Sequence, residues 1–360
     1  MSRLSWIDYA RGIAIFLVLY RHIFEGIKRS GLDVSGHKFM EEANLAFFSF
    51  RMPLFFIISG VFIGGTLLKR GLNGFVINKW RLLLYPYLVW TVIQITIQMI
   101  LSNYVNAERT YWDYLYIFYR PREIDQFWYL YALFNTSVLF AFTTVKFKIP
   151  GSYQLVIGLL MFLLSSYLVQ RKIYLGFIYD ILHFYVFVAL GSLVSGFILD
   201  KKRYELFSSW KLFFIILPFF VACQWYFLVT NVNHNMYGYV EDFQPLLFLM
   251  IALSGVMFMI NISFIFQRYN AIPLLRIIGF HSLFIYLMHV LAASATRIFM
   301  VKVLHVTNVP VLMITLILAG LFIPIIIYNL AIQWNAWWLF SPVKPDYKPR
   351  LDKKVLVEEA

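Results

Sequence analysis

Two side chains on the first apolar stretch, Arg11 and His22, are eleven residues apart. On an α-helix that spacing is close to three turns, so both lie on one stripe, about 16 Å apart along the axis. Asp8, Ile15 and Val18 share the stripe, and Glu25 lies near its edge. A guanidinium binds phosphate or carboxylate through paired donors. A neutral imidazole is poised near physiological pH to take a proton from a hydroxyl. Asp8, three residues before Arg11, has the spacing of an ion pair that holds the guanidinium. Glu25 lies one turn beyond His22 and could orient the ring. The plain alternative is an interfacial ion pair and a packing histidine.

Other polar side chains stand in apolar surroundings, where charges are costly and mark functional candidates. Arg51 lies in FRMPLFFIISG, whose Pro53, Ser59 and Gly60 loosen a helix and allow close backbone approach. Asp125, Gln126 and Trp128 open the stretch DQFWYLYALF, where an aromatic-belt position is the default for Trp128 and Tyr129. Asp180 and His183 are three apart on one helix face, and GFHSLFIYLMH contributes His281, Ser282, Tyr286 and His289. His22, Arg51, Asp180, His183 and His289 fall at compatible depths, which predicts a shared cavity. Among them Trp128, Asp180, His183 and His289 are candidates for substrate binding.

These residues need elements to hold them, and the composition says which. Of 360 residues, 61% are hydrophobic and only 14% charged, against roughly 25% charged in soluble proteins. A water-soluble fold could not hide that much apolar surface, so the chain reads as an integral membrane protein. The net charge of +13 fits cationic loops facing an anionic leaflet, and no nucleic-acid partner is expected. A single cysteine, Cys223, excludes an internal disulfide and a cysteine-based zinc site, and no metal is expected. The first apolar stretch lacks a clean signal-peptide core, so it is expected to remain as the first helix.

About 20 apolar residues span a bilayer, and about ten such stretches follow one another: 6–27, 44–68, 79–102, 126–146, 151–170, 174–199, 210–230, 244–267, 272–299 and 308–334. They are continuous and too long for barrel strands. The fold class is therefore all-α, a polytopic membrane protein of about ten transmembrane helices. With the N-terminus inside, the cytoplasmic loops carry a roughly twofold excess of Lys and Arg, so both termini are expected in the cytoplasm. The membrane domain is read as 1–338 and a short polar cytoplasmic tail as 339–360. The longest outer connection, about 103–125, is aromatic and mixed in charge; it either lies on the membrane face or caps a cavity.

Four segments carry a resemblance. WIDYARGIAIFLVLYRH, FFSFRMPLFFIISGVFIG, QFWYLYALF and HSLFIYLMHV resemble, in the same order, segments of the acyltransferase-3 family of membrane-bound O-acyltransferases. Arg11 and His22 match the family's basic residue and His separated by ten residues. The stretch HFYVFVALG departs from the family's usual Phe-Phe-x-x-Gly, so Asp180 and His183 rest on the physical argument alone. The resemblance implies about ten transmembrane helices and transfer of an acyl group, usually acetyl, from acyl-coenzyme A to a sugar hydroxyl of a surface polysaccharide or lipid-linked glycan. It resembles the stand-alone type, without an esterase-like domain.

Together these readings predict a multi-pass enzyme of the cell membrane. Its partners are acyl-CoA as donor substrate, a glycan or glycolipid acceptor, and membrane lipid, with no permanently bound cofactor. Arg11, held by Asp8, would bind a coenzyme A phosphate near the inner face. His22 would act as general base or as acyl carrier, and Arg51 would stabilise the oxyanion or hold an acidic group of the acceptor. A transporter or flippase for a glycan or lipid is the alternative, since it too would carry intramembrane charge.

Overall fold

Apolar runs of this length satisfy their backbone groups in lipid only as helices, and the computed structural model follows that rule. It describes residues 4–102 and 108–344, and among them every regular element is helical. The chain enters through α1 (Ser5–Arg29) and the short α2 (Lys38–Ala46), then the long α3 (Phe48–Lys79). A π-helical turn (Trp80–Leu84) leads into α4 (Tyr85–Ile100). The next connection holds α5 (Asp113–Tyr119). Three apolar helices follow: α6 (Trp128–Lys146), α7 (Gly151–Gln170) and α8 (Phe177–Leu193). Two single turns, α9 (Ser195–Ile198) and α10 (Tyr204–Phe207), lead to α11 (Trp210–Asn233), α12 (Tyr239–Phe243) and α13 (Pro245–Tyr269). The chain closes through α14 (Pro273–Phe280), α15 (Ser282–Ile298) and α16 (Val309–Gln333).

Each of the ten apolar stretches coincides with helix. Eight segments are long and apolar enough to cross a membrane. The other two are α1, whose charges lower its hydropathy, and α8, which is apolar but has 17 residues. Local chemistry sets the ends. The Ser209 and Asn308 side chains accept from Lys211 N and Val311 N at the starts of α11 and α16, and Asn270 in the left-handed region closes α13. Two boundaries differ from the sequence reading. The stretch 272–299 breaks at His281 into α14 and α15. α3 runs on past residue 68 to Lys79 through a kink at Gly71, whose φ of 65° only glycine adopts easily.

α1 is the hub, touching α2, α3, α13, α14, α15 and α16. Its lower end packs backbone to backbone on α14: a Cβ at Gly279 would overlap Asp8 O, and one at Gly12 would overlap Leu275 O. Gly60 and Gly191 bring α3 and α8 together in the same way, against Val188 O and Ile57 O. At the rim, Phe214, Ile215 and Leu160 are each more than 60% exposed, a surface suited to acyl chains rather than water. At the C-terminal end Trp90 Nε1 donates to Leu339 O (2.8 Å) and Phe340 is buried, so the packed body includes both. The rest of the polar tail, from residue 345, lies outside the described residues.

Candidate active site

The upper half of α1 lines a cavity of about 730 Å³. α1 contributes Val18, Arg21, His22, Glu25 and Arg29. α3 contributes Phe48, Ser49 and Arg51, and the segment before α6 gives Arg122, Asp125, Gln126 and Trp128. His183 of α8, Glu241 of α12, and Tyr286 and Arg297 of α15 complete the wall. The His22 end of α1, the Pro53 stretch and the Trp-centred segment thus converge on one site. His22, Glu25, Arg51, Trp128 and His183 all face it.

His289 stands behind His22, not in the main cavity. The two rings lie 5.2 Å apart between centroids, and both line a separate void of about 20 Å³ with Ser294 and Arg297. That is room for one water. His289 Nδ1 sits 3.0 Å from Ile285 O and 2.9 Å from Tyr286 O. Carbonyls only accept, so Nδ1 carries the proton and the neutral ring presents a lone pair at Nε2. That Nε2 is buried without a hydrogen-bond partner.

Arg51 is 2% exposed. Its Nη1 donates to Asn44 Oδ1 (3.2 Å) and Leu17 O (3.4 Å), while Nη2 has no partner. Asn44 in turn donates to Glu25 Oε1 at 3.5 Å. The Glu25 carboxylate therefore reaches Arg51 through Asn44, rather than turning back to the His22 ring. Arg21 and Arg51 both lie over the Phe48 ring, 5.2 and 5.3 Å from its centroid.

Two connecting segments roof the cavity, each tied to α8. Arg122 Nε donates to Asp180 Oδ1 (2.7 Å), and its guanidinium covers the Trp128 ring at 4.3 Å. Burial pulls the Arg122 pKa down, but the Asp180 carboxylate outweighs it and holds the guanidinium above its usual range. Asp180 is fully buried and does not reach the cavity; its partner is this loop arginine. From the other side, Glu241 Oε1 lies 3.0 Å from His183 Nε2. Burial raises the Glu241 pKa, but the hydrogen bond and charge of His183, with Arg122 and Arg21, bring it below the usual carboxylate range. Its neighbour Asp242 is pushed up to about 7 by burial and by the Glu241 charge. Asp125 is fixed by Gln94, Gln98 and Arg109, each 2.8 or 2.9 Å from Oδ2. Of the connection around 103–125, Arg122, Glu123 and Asp125 cap the cavity, as one of the two sequence readings had it, while Trp112 and Phe118 are more than half exposed; residues 103–107 lie outside the described residues.

Arg11 and Asp8 lie apart from this cavity. Asp8 is buried and Arg11 half-buried at the opposite end of α1, and Arg11 is within Coulombic reach of Lys79 and Tyr129. The cavity follows α1 down only to Val18; below it Ile15 is 1% exposed. Sequence reasoning did not single out Arg21, Arg122, Arg297, Asn44 or Glu241 as site residues. Arg21 and Arg297 had left a signal, as charges inside apolar stretches. Asn44, at the first position of the stretch 44–68, and Glu241, in a connection, left none, since each read as an ordinary polar residue. Among the described residues no group of three His, Cys, Asp or Glu side chains is placed to hold a metal ion.

Comparison with known proteins agrees with this architecture. Residues 4–340 match the family described as "Acyltransferase domain". The nodulation protein NolL of Mesorhizobium japonicum is 26% identical over 132 residues, which cover 37% of this chain and 34% of that protein. The match thus spans about a third of the relative's length. No solved structure matches the chain. With a profile running from before α1 to Phe340 and the four resembling segments meeting around His22, the chain belongs to the acyltransferase-3 family.

Proposed function

We propose that this acyltransferase moves an acyl group, acetyl by default, from cytoplasmic acyl-CoA to a sugar hydroxyl of a surface polysaccharide or lipid-linked glycan, with both termini of the chain in the cytoplasm. The observation that carries the reading is His22: an imidazole facing an open, arginine-lined cavity on the helix whose other end bears Arg11. His22 takes the proton of the acceptor hydroxyl as its oxygen attacks the thioester carbonyl. Arg51, with Nη2 unpartnered and its position set by Asn44 and Glu25, receives the oxyanion. The intermediate collapses with cleavage of the C–S bond, and the imidazolium returns the proton to the departing thiolate. His289 is a positioning residue: its Nε2 lone pair holds a His22 N–H across the water-sized void, which leaves the other His22 nitrogen as the base.

Arg11 and Asp8 serve the donor end, where the guanidinium takes a phosphate of coenzyme A. Since Ile15 is packed between that end and the cavity floor, the acyl-pantetheine arm must part α1 from its neighbours to reach His22. Trp128, by the edge that Arg122 and Phe184 leave uncovered, and His183 are the wall's candidates to meet a sugar ring.

The test is acetyl-CoA turnover in membranes holding the protein. Release of free CoA with an acceptor glycan is expected from the wild type, and none from His22→Ala at equal membrane abundance. A His22→Ala protein that still transfers would remove His22 from catalysis, and a wild type that moves glycan without consuming acetyl-CoA would make the protein a transporter. Label trapped on the protein without acceptor would favour an acyl-histidine route.

A further inference from the structure

Four guanidiniums line the main cavity with no carboxylate in salt-bridge distance among the described residues: Arg21, Arg29, Arg51 and Arg297. Of the carboxylates nearby, Glu25 acts on Arg51 only through Asn44 and on Arg21 without a direct ion pair, and three others are committed elsewhere. Asp125 is paired with Arg109, Asp180 with Arg122, and Glu241 with His183. Two of the four arginines are buried, Arg51 at 2% exposed and Arg297 at 6%. Arg21 and Arg51 repel each other and share the Phe48 ring. Burying a guanidinium without a counter-charge is strongly unfavourable, and a polar wall built this way is complementary to an anion. A transition-state oxyanion answers one guanidinium, and only during turnover. The others are unpaired in the resting protein.

We propose that the acceptor is anionic: it carries a carboxylate or phosphate next to the hydroxyl that is acylated, and Arg21, Arg51 and Arg297 hold that group beside His22. This rests on the acyltransferase reading and names its substrate class. Such a grip fixes the neighbouring hydroxyl against the imidazole, and a neutral sugar, lacking it, leaves the guanidiniums uncompensated.

The test uses the purified full-length protein in detergent, with tryptophan fluorescence as the binding signal. The probes are potassium glucuronate, glucose, inorganic phosphate and coenzyme A, compared at equal ionic strength. Glucuronate or phosphate is expected to bind about tenfold or more tighter than glucose, and to weaken as salt rises. Arg51→Gln is expected to lower that preference by about tenfold. Arg21→Gln, a half-exposed position, provides the same measurement if the first variant fails to fold. Equal binding of glucuronate, phosphate and glucose would overturn the proposal. So would saturable binding of coenzyme A alone, abolished by Arg51→Gln, because the anion would then be the donor's. CoA release from acetyl-CoA is followed in parallel. If release persists while the anion preference is absent, only the anionic acceptor is wrong; if release is absent with every acceptor, the acyltransferase reading itself fails.

Discussion

A neutral imidazole presents one basic nitrogen and one N–H, and which is which depends on what stands behind the ring. His289 stands behind the His22 ring, 5.2 Å away between centroids, with its own Nδ1 tied to two carbonyls, and in the proposed mechanism it supplies that backing. His289→Leu is expected to lower kcat by about 10–100-fold, the usual cost of losing a group that orients an active side chain, with the acceptor KM unchanged. His289→Gln, which offers a carbonyl oxygen, is expected to recover part of the rate. A rise in acceptor KM in both variants would instead return His289 to the substrate-binding role read from the sequence. At the other end of α1, Arg11→Ala is expected to raise the apparent KM for acyl-CoA with little change in acceptor KM; a loss confined to the acceptor would reverse the polarity of the site. The spacing of Arg11 and His22 was legible because helical periodicity is a local property of the chain. The partner of His22 was not, because His289 is 267 residues away and only the α1–α15 packing makes it a neighbour. Asp180 and His183 show the same limit from the other side. Their placement on one face was readable, but their partners Arg122 and Glu241 come from loops whose course periodicity does not encode.

Helices were the readable unit of this fold, and loops were not. Ten apolar stretches became helix because lipid leaves the backbone no other partner, while the break at His281 and the continuation through Gly71 depended on packing. The short α12 shows how much a loop can decide. It brings Glu241 to His183 and leaves Asp242 with a pKa of about 7, raised by burial and then by the Glu241 charge. An acid whose folded pKa exceeds its unfolded value near 3.8 favours folding while protonated. Its contribution is complete below the unfolded value, declines as pH rises above it, and is gone above about 7. Amide exchange in residues 234–244, corrected for intrinsic rate, is therefore expected to be faster at pH 8 than at pH 5. Asp242→Asn should level the two, and a wild-type segment equally protected at both would show that Asp242 does not govern this loop.

The whole molecule is a set of apolar helices around one charged helix, and its cationic loops alternate unequally along the chain. That imbalance is the basis for placing the termini in the cytoplasm. The single cysteine, buried Cys223, makes this easy to check: in a Cys223→Ser background, Lys38→Cys is expected to react with an impermeant maleimide from outside the cell and Lys201→Cys only after lysis. The reverse pattern would turn the cavity toward the cytoplasm, and with it the side on which acyl transfer takes place. Composition alone revealed the membrane, since 61% hydrophobic residues leave no soluble solution. It could not reveal that the cavity ends at Val18, because a passage depends on how side chains from many helices fill space.

The Trp128 indole lies between the Arg122 guanidinium at 4.3 Å and the Phe184 ring at 5.6 Å, at the point where the outer connection is clasped to α8. A cation resting on an indole alters its emission, and that cation leaves only if the Arg122–Asp180 clasp opens. The protein thus contains its own optical gauge of the roof. Subtracting the spectrum of a Trp128→Phe protein isolates that one fluorophore from the other nine tryptophans, so the arrival of an occupant beneath it can be timed without attaching any dye.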